Sequence, residues 1–247
     1  MAVERARFTS VLAGDTRAME MRLATVVAVL ALVLAAPVAA SISVASNAQR
    51  PALRVDAKGT AEVSWTAAGR RRTLSIPPSG LYLPGGRLAG PDVSTGARVP
   101  GLPFARATRR VGSTFYALQG WRVEPGGPVE LHFARWKGKP TTVELRAEAS
   151  SGSERLVGRA EFQGKPVSGY SRTNSGIRYR IFAFLDCFAC PRPAWRRISG
   201  VAPRSTSEFR LLVKPAFLGA RYRVTIAGPN IDHTLAPDAS AVAQSAR

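Results

Sequence analysis

Alternation of apolar and polar residues is the dominant pattern after residue 60, and it limits what this chain can fold into. Ala61, Val63 and Trp65 alternate with polar neighbours, and the same period of two recurs in residues 129–133 and 222–226. A period of two places successive side chains on opposite faces of a strand. We therefore expect half-buried β-strands, with one face on a core and the other in water.

Segments rich in Gly, Pro and Ser separate these strands and predict turns at residues 77–80, 84–86, 125–128, 137–140 and 151–153. Further strands are predicted at residues 72–76, 114–123, 142–148, 155–162 and 209–214. No segment after residue 48 has the pattern of a capped amphipathic helix. The sequence predicts an all-β fold, an antiparallel β-sandwich of Ig-like or prealbumin-like type with one or two β units.

The chain divides by composition into two β units and a tail. We assign residues 50–148 to an N-terminal β unit, with an irregular Gly-, Pro- and Arg-rich segment at 80–110, and residues 152–230 to a C-terminal sandwich. Residues 233–247 are expected to form a flexible tail. Within the C-terminal unit, Tyr179–Leu185 is nearly continuous apolar sequence, which predicts a central strand covered on both faces.

An uncharged apolar run at residues 23–40 follows two arginines near the N-terminus. Val38 and Ala40 have the small-residue spacing that a signal peptidase accepts, so residues 1–40 are predicted to be an N-terminal extension and a secretory signal peptide. Cleavage is expected near residue 40, or near residue 48 after the second small-residue motif at 46–48. The alternative is an uncleaved membrane anchor, because about 18 apolar residues can just span a bilayer. We expect a secreted or cell-envelope protein.

Basic residues dominate the charge. The chain has 35 Lys plus Arg against 16 Asp plus Glu, a net charge of +19. Such a charge attracts any polyanion. Export argues against nucleic acid as the biological target, and favours an anionic cell-wall polymer or a membrane surface. The candidate binding residues are Arg70, Arg71, Arg72, Arg109, Arg110, Arg178, Arg180, Trp195, Arg196 and Arg197. The alternative is a solvated scatter of arginines, reflecting the codon usage of a high-GC genome.

The two cysteines, Cys187 and Cys190, form a Cys-Phe-Ala-Cys-Pro motif. In an exported protein the two thiols are expected to be oxidised, and a structural disulfide between them is the prediction. The alternative is a redox-active dithiol, because a closely spaced pair can lower the pKa of one thiol. No second pair supplies ligands for zinc, so no metal or other cofactor is expected.

No catalytic residue can be assigned from the sequence. His132 and His233 lack the spacing of a metal site, and both are expected to be exposed. The chain has no Gly-x-Ser-x-Gly elbow, although a Ser-His-Asp triad assembles in space and not in sequence. The enzyme alternative is a secreted hydrolase, or a thiol oxidoreductase that uses Cys187 and Cys190.

Residues 152–228 resemble the prealbumin-like β-sandwich modules, the transthyretin-like or carboxypeptidase-regulatory-like family of bacterial envelope proteins. Three segments carry this resemblance: the strand and Gly-x-Pro-Val-x-Gly turn of residues 157–169, the apolar strand 181–187, and residues 206–215 together with 222–226. The resemblance implies a sandwich of about seven strands with a binding or spacer role and no catalytic residue. The whole mature chain is also similar to secreted proteins of high-GC Gram-positive bacteria. We therefore expect a non-catalytic binding or structural module.

Overall fold

Strands fill most of the described chain, as the alternation of apolar and polar residues predicts. The structure is a computed structural model and describes residues 41–79, 83–122, 126–166, 179–185, 194–201, 208–214, 220–226, 228, 230–231 and 234–246. Every regular element in these residues is a β-strand, and every strand pairing is antiparallel. No helix in this part of the chain is long and apolar enough to cross a membrane. The predicted all-β fold class is confirmed.

Nineteen strands follow one another in the described chain. They are β1 (Ile42–Ser46), β2 (Gln49–Val55), β3 (Ala61–Ala67), β4 (Arg70–Ile76), β5 (Leu83–Pro84), β6 (Thr95–Gly96), β7 (Ala105–Val111), β8 (Thr114–Arg122), β9 (Val129–Lys137), β10 (Thr142–Ser150), β11 (Ser153–Phe162), β12 (Lys165–Pro166), β13 (Tyr179–Leu185), β14 (Ala194–Val201), β15 (Glu208–Val213), β16 (Arg221–Ile226), β17 (Asn230–Ile231), β18 (Thr234–Leu235) and β19 (Ala239–Gln244).

Seven of these strands form the central sheet, in the order β17-β18-β9-β8-β7-β6, with β1 also paired to β9. Leu235 of β18 pairs with Arg135, and Ile42 of β1 pairs with Phe133. Because β8 occupies the other edge of β9 along its whole length, β1 and β18 lie one after the other on the same edge. The residue before β1 and the residues after β18 therefore come close together.

Three four-stranded sheets complete the described fold. The N-terminal sheet has the order β2-β3-β4-β5. The β11 sheet has the order β10-β11-β12, with β15 also paired to β11, and the β13 sheet has the order β14-β13-β16-β19. Ala68 and Gly69, at φ 48° and 73°, form the two-residue turn between β3 and β4. Positive φ at both positions is the type I′ geometry, whose twist matches that of the paired strands.

Two hydrophobic cores lie on opposite faces of the central sheet. On one face, Tyr116 and Leu118 of β8 pack with residues of the N-terminal sheet. On the other face, Ala117 and Trp136 pack with residues of the β11 and β13 sheets. β8 and β9 are therefore buried on both faces, unlike the half-buried strands that alternation predicts. Two polar residues of these strands, Gln119 and His132, are enclosed.

The remaining predictions have mixed outcomes. The predicted strands match observed ones within a few residues, and β13 pairs on both edges, as expected of a central strand. The segment 80–110 contains only the short strands β5 and β6 and part of β7 among its described residues. Residues assigned to a flexible tail instead form β18 and β19. The β11 and β13 sheets share one core, which is compatible with a sandwich, and the division into two units stays a prediction.

Candidate functional site

The predicted basic residues are distributed over several strands. Arg70, Arg71 and Arg72 are consecutive, exposed residues of β4 in the N-terminal sheet. Arg109 and Arg110 lie on β7 of the central sheet. The others that the structure describes lie in the β13 sheet: Arg180 on β13, and Trp195, Arg196 and Arg197 on β14. Arg178 lies outside the described residues. Arg71 and Arg72 of β4 line a cavity.

This arginine cavity has a volume of about 440 Å³ and lies between β1 and the N-terminal sheet. Arg71 and Arg72 line it together with Trp65, which is the pairing partner of Arg72 on β3. The remaining lining residues are Ile42, Ser43, Val44, Thr73, Leu74, Pro84 and Gly85. Trp65 and Arg72 are opposite one another in the strand ladder and share a face, whereas Arg71 lies on the other face, where its Nη2 donates to Ser64 Oγ. An indole beside a guanidinium group suits a ligand that has both a sugar or glycerol surface and an anionic group.

The positive charge of this cavity is not neutralised by described carboxylates. Within the described ranges, no carboxylate lies within 4.0 Å of the guanidinium groups of Arg70, Arg71 or Arg72, and Arg71 Nη2 donates a hydrogen bond of 2.5 Å to Ser64 Oγ. Arg54 on the neighbouring strand β2 differs, because it lies 3.6 Å from Glu62 and 3.5 Å from Asp92. The charge at the arginine cavity is thus available to a bound anion.

A second polar site is buried, and sequence analysis missed it. The prediction that His132 is exposed is wrong, because its side chain is enclosed between the central sheet and the residues after β18, with 6% of the residue exposed. Its Nδ1 lies 2.9 Å from Asp238 Oδ2, and its Nε2 lies 3.1 Å from Glu130 Oε2. Ser41 Oγ lies 2.9 Å from the same Nδ1. His233, Cys187 and Cys190 lie outside the described residues.

Asp238 is fully buried and accepts four hydrogen bonds. Its Oδ1 accepts from Ser41 Oγ at 2.7 Å and from the Gly228 backbone N–H at 2.9 Å. Its Oδ2 accepts from Trp121 Nε1 at 2.7 Å and from His132 Nδ1 at 2.9 Å. A carboxylate offers about four acceptor positions, and each of them is used here. We call Ser41, His132, Asp238, Trp121 and Glu130 the buried network.

Gln119 fixes the main chain of the same segment. Its Nε2 donates to the Asp238 carbonyl at 2.9 Å and to the Pro103 carbonyl at 3.0 Å, while its Oε1 accepts from the Asp238 N–H at 2.8 Å. Each of these polar groups is therefore partnered, which is the condition for burying them without a large penalty. The segment after β18 is held by side chain and main chain together.

The charges of the buried network support one another. Burial opposes the charged imidazolium, but hydrogen bonds and charges from Asp238 and Glu130 outweigh it and raise the pKa of His132. Burial likewise favours the neutral acid of Asp238, but the hydrogen bond and charge of His132, with the bonds from Gly228 and Ser41, lower the pKa of Asp238. The contacts of the buried network therefore favour the imidazolium form of His132 and the carboxylate form of Asp238.

These residue types match a hydrolytic triad, but their arrangement does not. In a Ser-His-Asp triad, the serine and the aspartate occupy opposite nitrogens of the imidazole, so that the histidine can take the serine proton. Here Ser41 and Asp238 share Nδ1, and Glu130 holds Nε2. Ser41 also donates its proton to Asp238 and is only 2% exposed. The described geometry holds chain segments together and does not present a nucleophile.

No group of three potential ligands among the described residues is placed to hold a metal ion. The sequence contained one weak signal of the buried network, since His132 and Glu130 are two residues apart on one strand and so share a face. Nothing in the sequence pairs them with Ser41 or Asp238.

Comparison with known proteins finds no matching family model, no matching curated protein and no matching solved structure.

Proposed function

We propose that this is an exported, non-catalytic protein of the bacterial cell envelope or medium that binds an anionic envelope polymer through the arginine cavity. We also propose that residues 152–228 are a prealbumin-like sandwich that serves as a structural module. Export is supported by the apolar run at residues 23–40 and the small residues at its end. A cell wall is the anionic surface that such a protein meets first.

The observation that carries the binding proposal is Arg72 beside Trp65 in the arginine cavity, which Arg71 of the same strand also lines. Arg forks bind phosphate oxygens through paired, charge-assisted hydrogen bonds, whereas an indole face packs against the C–H surface of a sugar or glycerol unit. Because no described carboxylate lies within 4.0 Å of these guanidinium groups, an incoming phosphate has no internal competitor among those residues.

The experiment measures binding of a poly(glycerol phosphate) polymer to the exported protein by isothermal calorimetry over a range of salt concentrations. The test variant is Arg71→Gln with Arg72→Gln. The matched control is Arg146→Gln with Arg155→Gln, because these exposed arginines lie in the β11 sheet and their loss changes the net charge equally.

We expect the test variant to lose most of its affinity. The slope of log K against log salt should fall by about 1.5, since each lost phosphate contact removes about 0.7 to 0.9 from it. The control should keep most of its binding. Equal losses in the two variants would show that only bulk charge matters, and no loss in either would exclude the arginine cavity as the site.

A further inference from the structure

The sequence offers two places where a signal peptidase could cut, after Ala40 or after Ala48. The choice between them determines whether residues 41–48 belong to the mature protein. These eight residues include β1 and the turn that leads from the central sheet to the N-terminal sheet. Their contacts in the fold therefore bear directly on the site of processing.

β1 is an integral strand of the central sheet. It pairs with β9 in the register Ile42 to Phe133 and Ala45 to Leu131. Ile42 and Val44 pack against the core between the central and N-terminal sheets. Removal of residues 41–48 would strip β1 from the edge of β9, and would leave backbone groups and apolar side chains of β9 without their partners.

The second small-residue motif has a structural explanation. Asn47 lies at the turn after β1, with φ 53°, a left-handed conformation that asparagine adopts more readily than most residues. Its N–H donates to the Val129 carbonyl at 2.7 Å, and its Oδ1 accepts from the Val129 N–H at 3.3 Å. Residues 46–48 are thus small residues at the end of β1 and in the turn that leads to β2, and their resemblance to a cleavage motif follows from this role.

Ser41 marks the other boundary. It is buried, and its Oγ bonds to His132 and Asp238 in the buried network, so the fold makes specific use of the chain from this residue onward. We propose that the precursor is processed between Ala40 and Ser41, so that Ser41 becomes the N-terminal residue of the mature protein. This inference rests on the export half of the proposed function and is independent of polymer binding.

The charge of the buried network is compatible with a new N-terminus at Ser41. Two carboxyl groups, of Asp238 and Glu130, contact the single imidazole of His132. The α-nitrogen of a serine is about 3 Å from its own Oγ by covalent geometry. The ammonium group formed by cleavage would lie within roughly 6 Å of Asp238, where its attraction to that carboxylate favours the processed form.

The experiment expresses the full chain in a high-GC Gram-positive host and determines the intact mass and N-terminal sequence of the protein in the cytosol, envelope and medium. The two variants are Ala40→Leu, which places a bulky residue directly before the proposed bond, and Ser46→Leu, which places one at the first small residue of the second motif, at an exposed position three residues before the bond after Ala48. We expect an exported product that begins at Ser41, loss of this product in Ala40→Leu, and an unchanged N-terminus in Ser46→Leu.

Each other outcome overturns the inference in a recognisable way. Exported protein that begins at Gln49, or that keeps residues 1–40, would refute processing at Ser41 while leaving export intact. Full-length protein confined to the cytosol would refute export and processing together. A Ser46→Leu variant that loses the processed product, with Ala40→Leu unaffected, would place the cut at the second motif.

Discussion

The substitution Asp238→Asn tests the buried network most directly. Four groups donate hydrogen bonds to the carboxylate: two to Oδ1, from Ser41 and Gly228, and two to Oδ2, from Trp121 and His132. An asparagine has nearly the same shape but replaces one acceptor oxygen with an NH₂ group. In either orientation of the amide, two of the four donor groups then face the NH₂ group, which is itself a donor.

The expected cost follows from that geometry. A buried donor left without an acceptor costs about 1 to 3 kcal/mol. Loss of the negative charge also leaves the buried His132 imidazolium with Glu130 as its only carboxylate in the buried network. Breaking a buried ion pair by removing one partner typically costs about 3 to 5 kcal/mol, and we expect Asp238→Asn to fall in this range. The corresponding fall in Tm is on the order of 10 °C for a chain of this size.

The assay is urea unfolding of the mature protein at neutral pH, followed by tryptophan fluorescence. Glu148→Gln is the matched control, because this carboxylate pairs with Arg146 at 2.9 Å while the two side chains are 39% and 69% exposed. Exposed pairs of this kind contribute up to about 1 kcal/mol. If Asp238→Asn loses no more stability than Glu148→Gln, the argument that the buried network holds the fold together is wrong.

Three further predictions test other parts of the fold. The raised pKa of His132 contributes stability that is fully present below about pH 6.5 and is lost as the pH rises through the pKa of the folded state. We therefore expect the fall in Tm between pH 6 and pH 9 to be smaller in His132→Gln than in the unmodified protein. The control variant His233→Gln should show the same fall as the unmodified protein. Glu154→Gln should lower the free energy of unfolding in urea by about 1 to 3 kcal/mol, because this buried carboxylate accepts hydrogen bonds from Tyr222, Ser245 and Ala246. An unaltered urea midpoint would contradict a stabilising role for Glu154. Gly228→Ala should lower Tm or prevent folding, because an added Cβ would collide with the backbone of Ala236 and Pro237; a Tm equal to that of the unmodified protein would show that the segment moves aside at no cost.

The sequence predicts the strands of this fold better than their packing. Alternation at residues 61–66 and 222–226 marks β3 and β16, because each of these strands shows one apolar row to a core. The same logic fails for β9. Leu131 and Phe133 face one core as expected, but a second core covers the opposite face, where the pattern predicts water. A period of two predicts a strand, but it does not show whether one face or both faces of that strand are buried.

The arginine cavity and the buried network differ in how many of their residues the sequence could predict. Arg70, Arg71 and Arg72 are adjacent in the chain, so composition alone draws attention to them. The buried network joins Ser41 to His132 across 91 positions and to Asp238 across 197 positions. Only the placement of β1 and β18 along one edge of β9 brings these residues together, and no local pattern carries that information.

At each end of the described chain, a buried carboxylate accepts hydrogen bonds from the terminal segment. Asp238 accepts from Ser41 Oγ at the N-terminal end, and Glu154 accepts from Ser245 Oγ and from the Ala246 N–H at the C-terminal end. Polar, Ala-rich sequence after residue 233 suggested fraying, because short alanines carry little hydrophobic signal. Instead, β19 pairs with β16 from Ala239 to Gln244, with Ala239 and Ala243 buried, and the two carboxylates bind the chain just before and just after this strand.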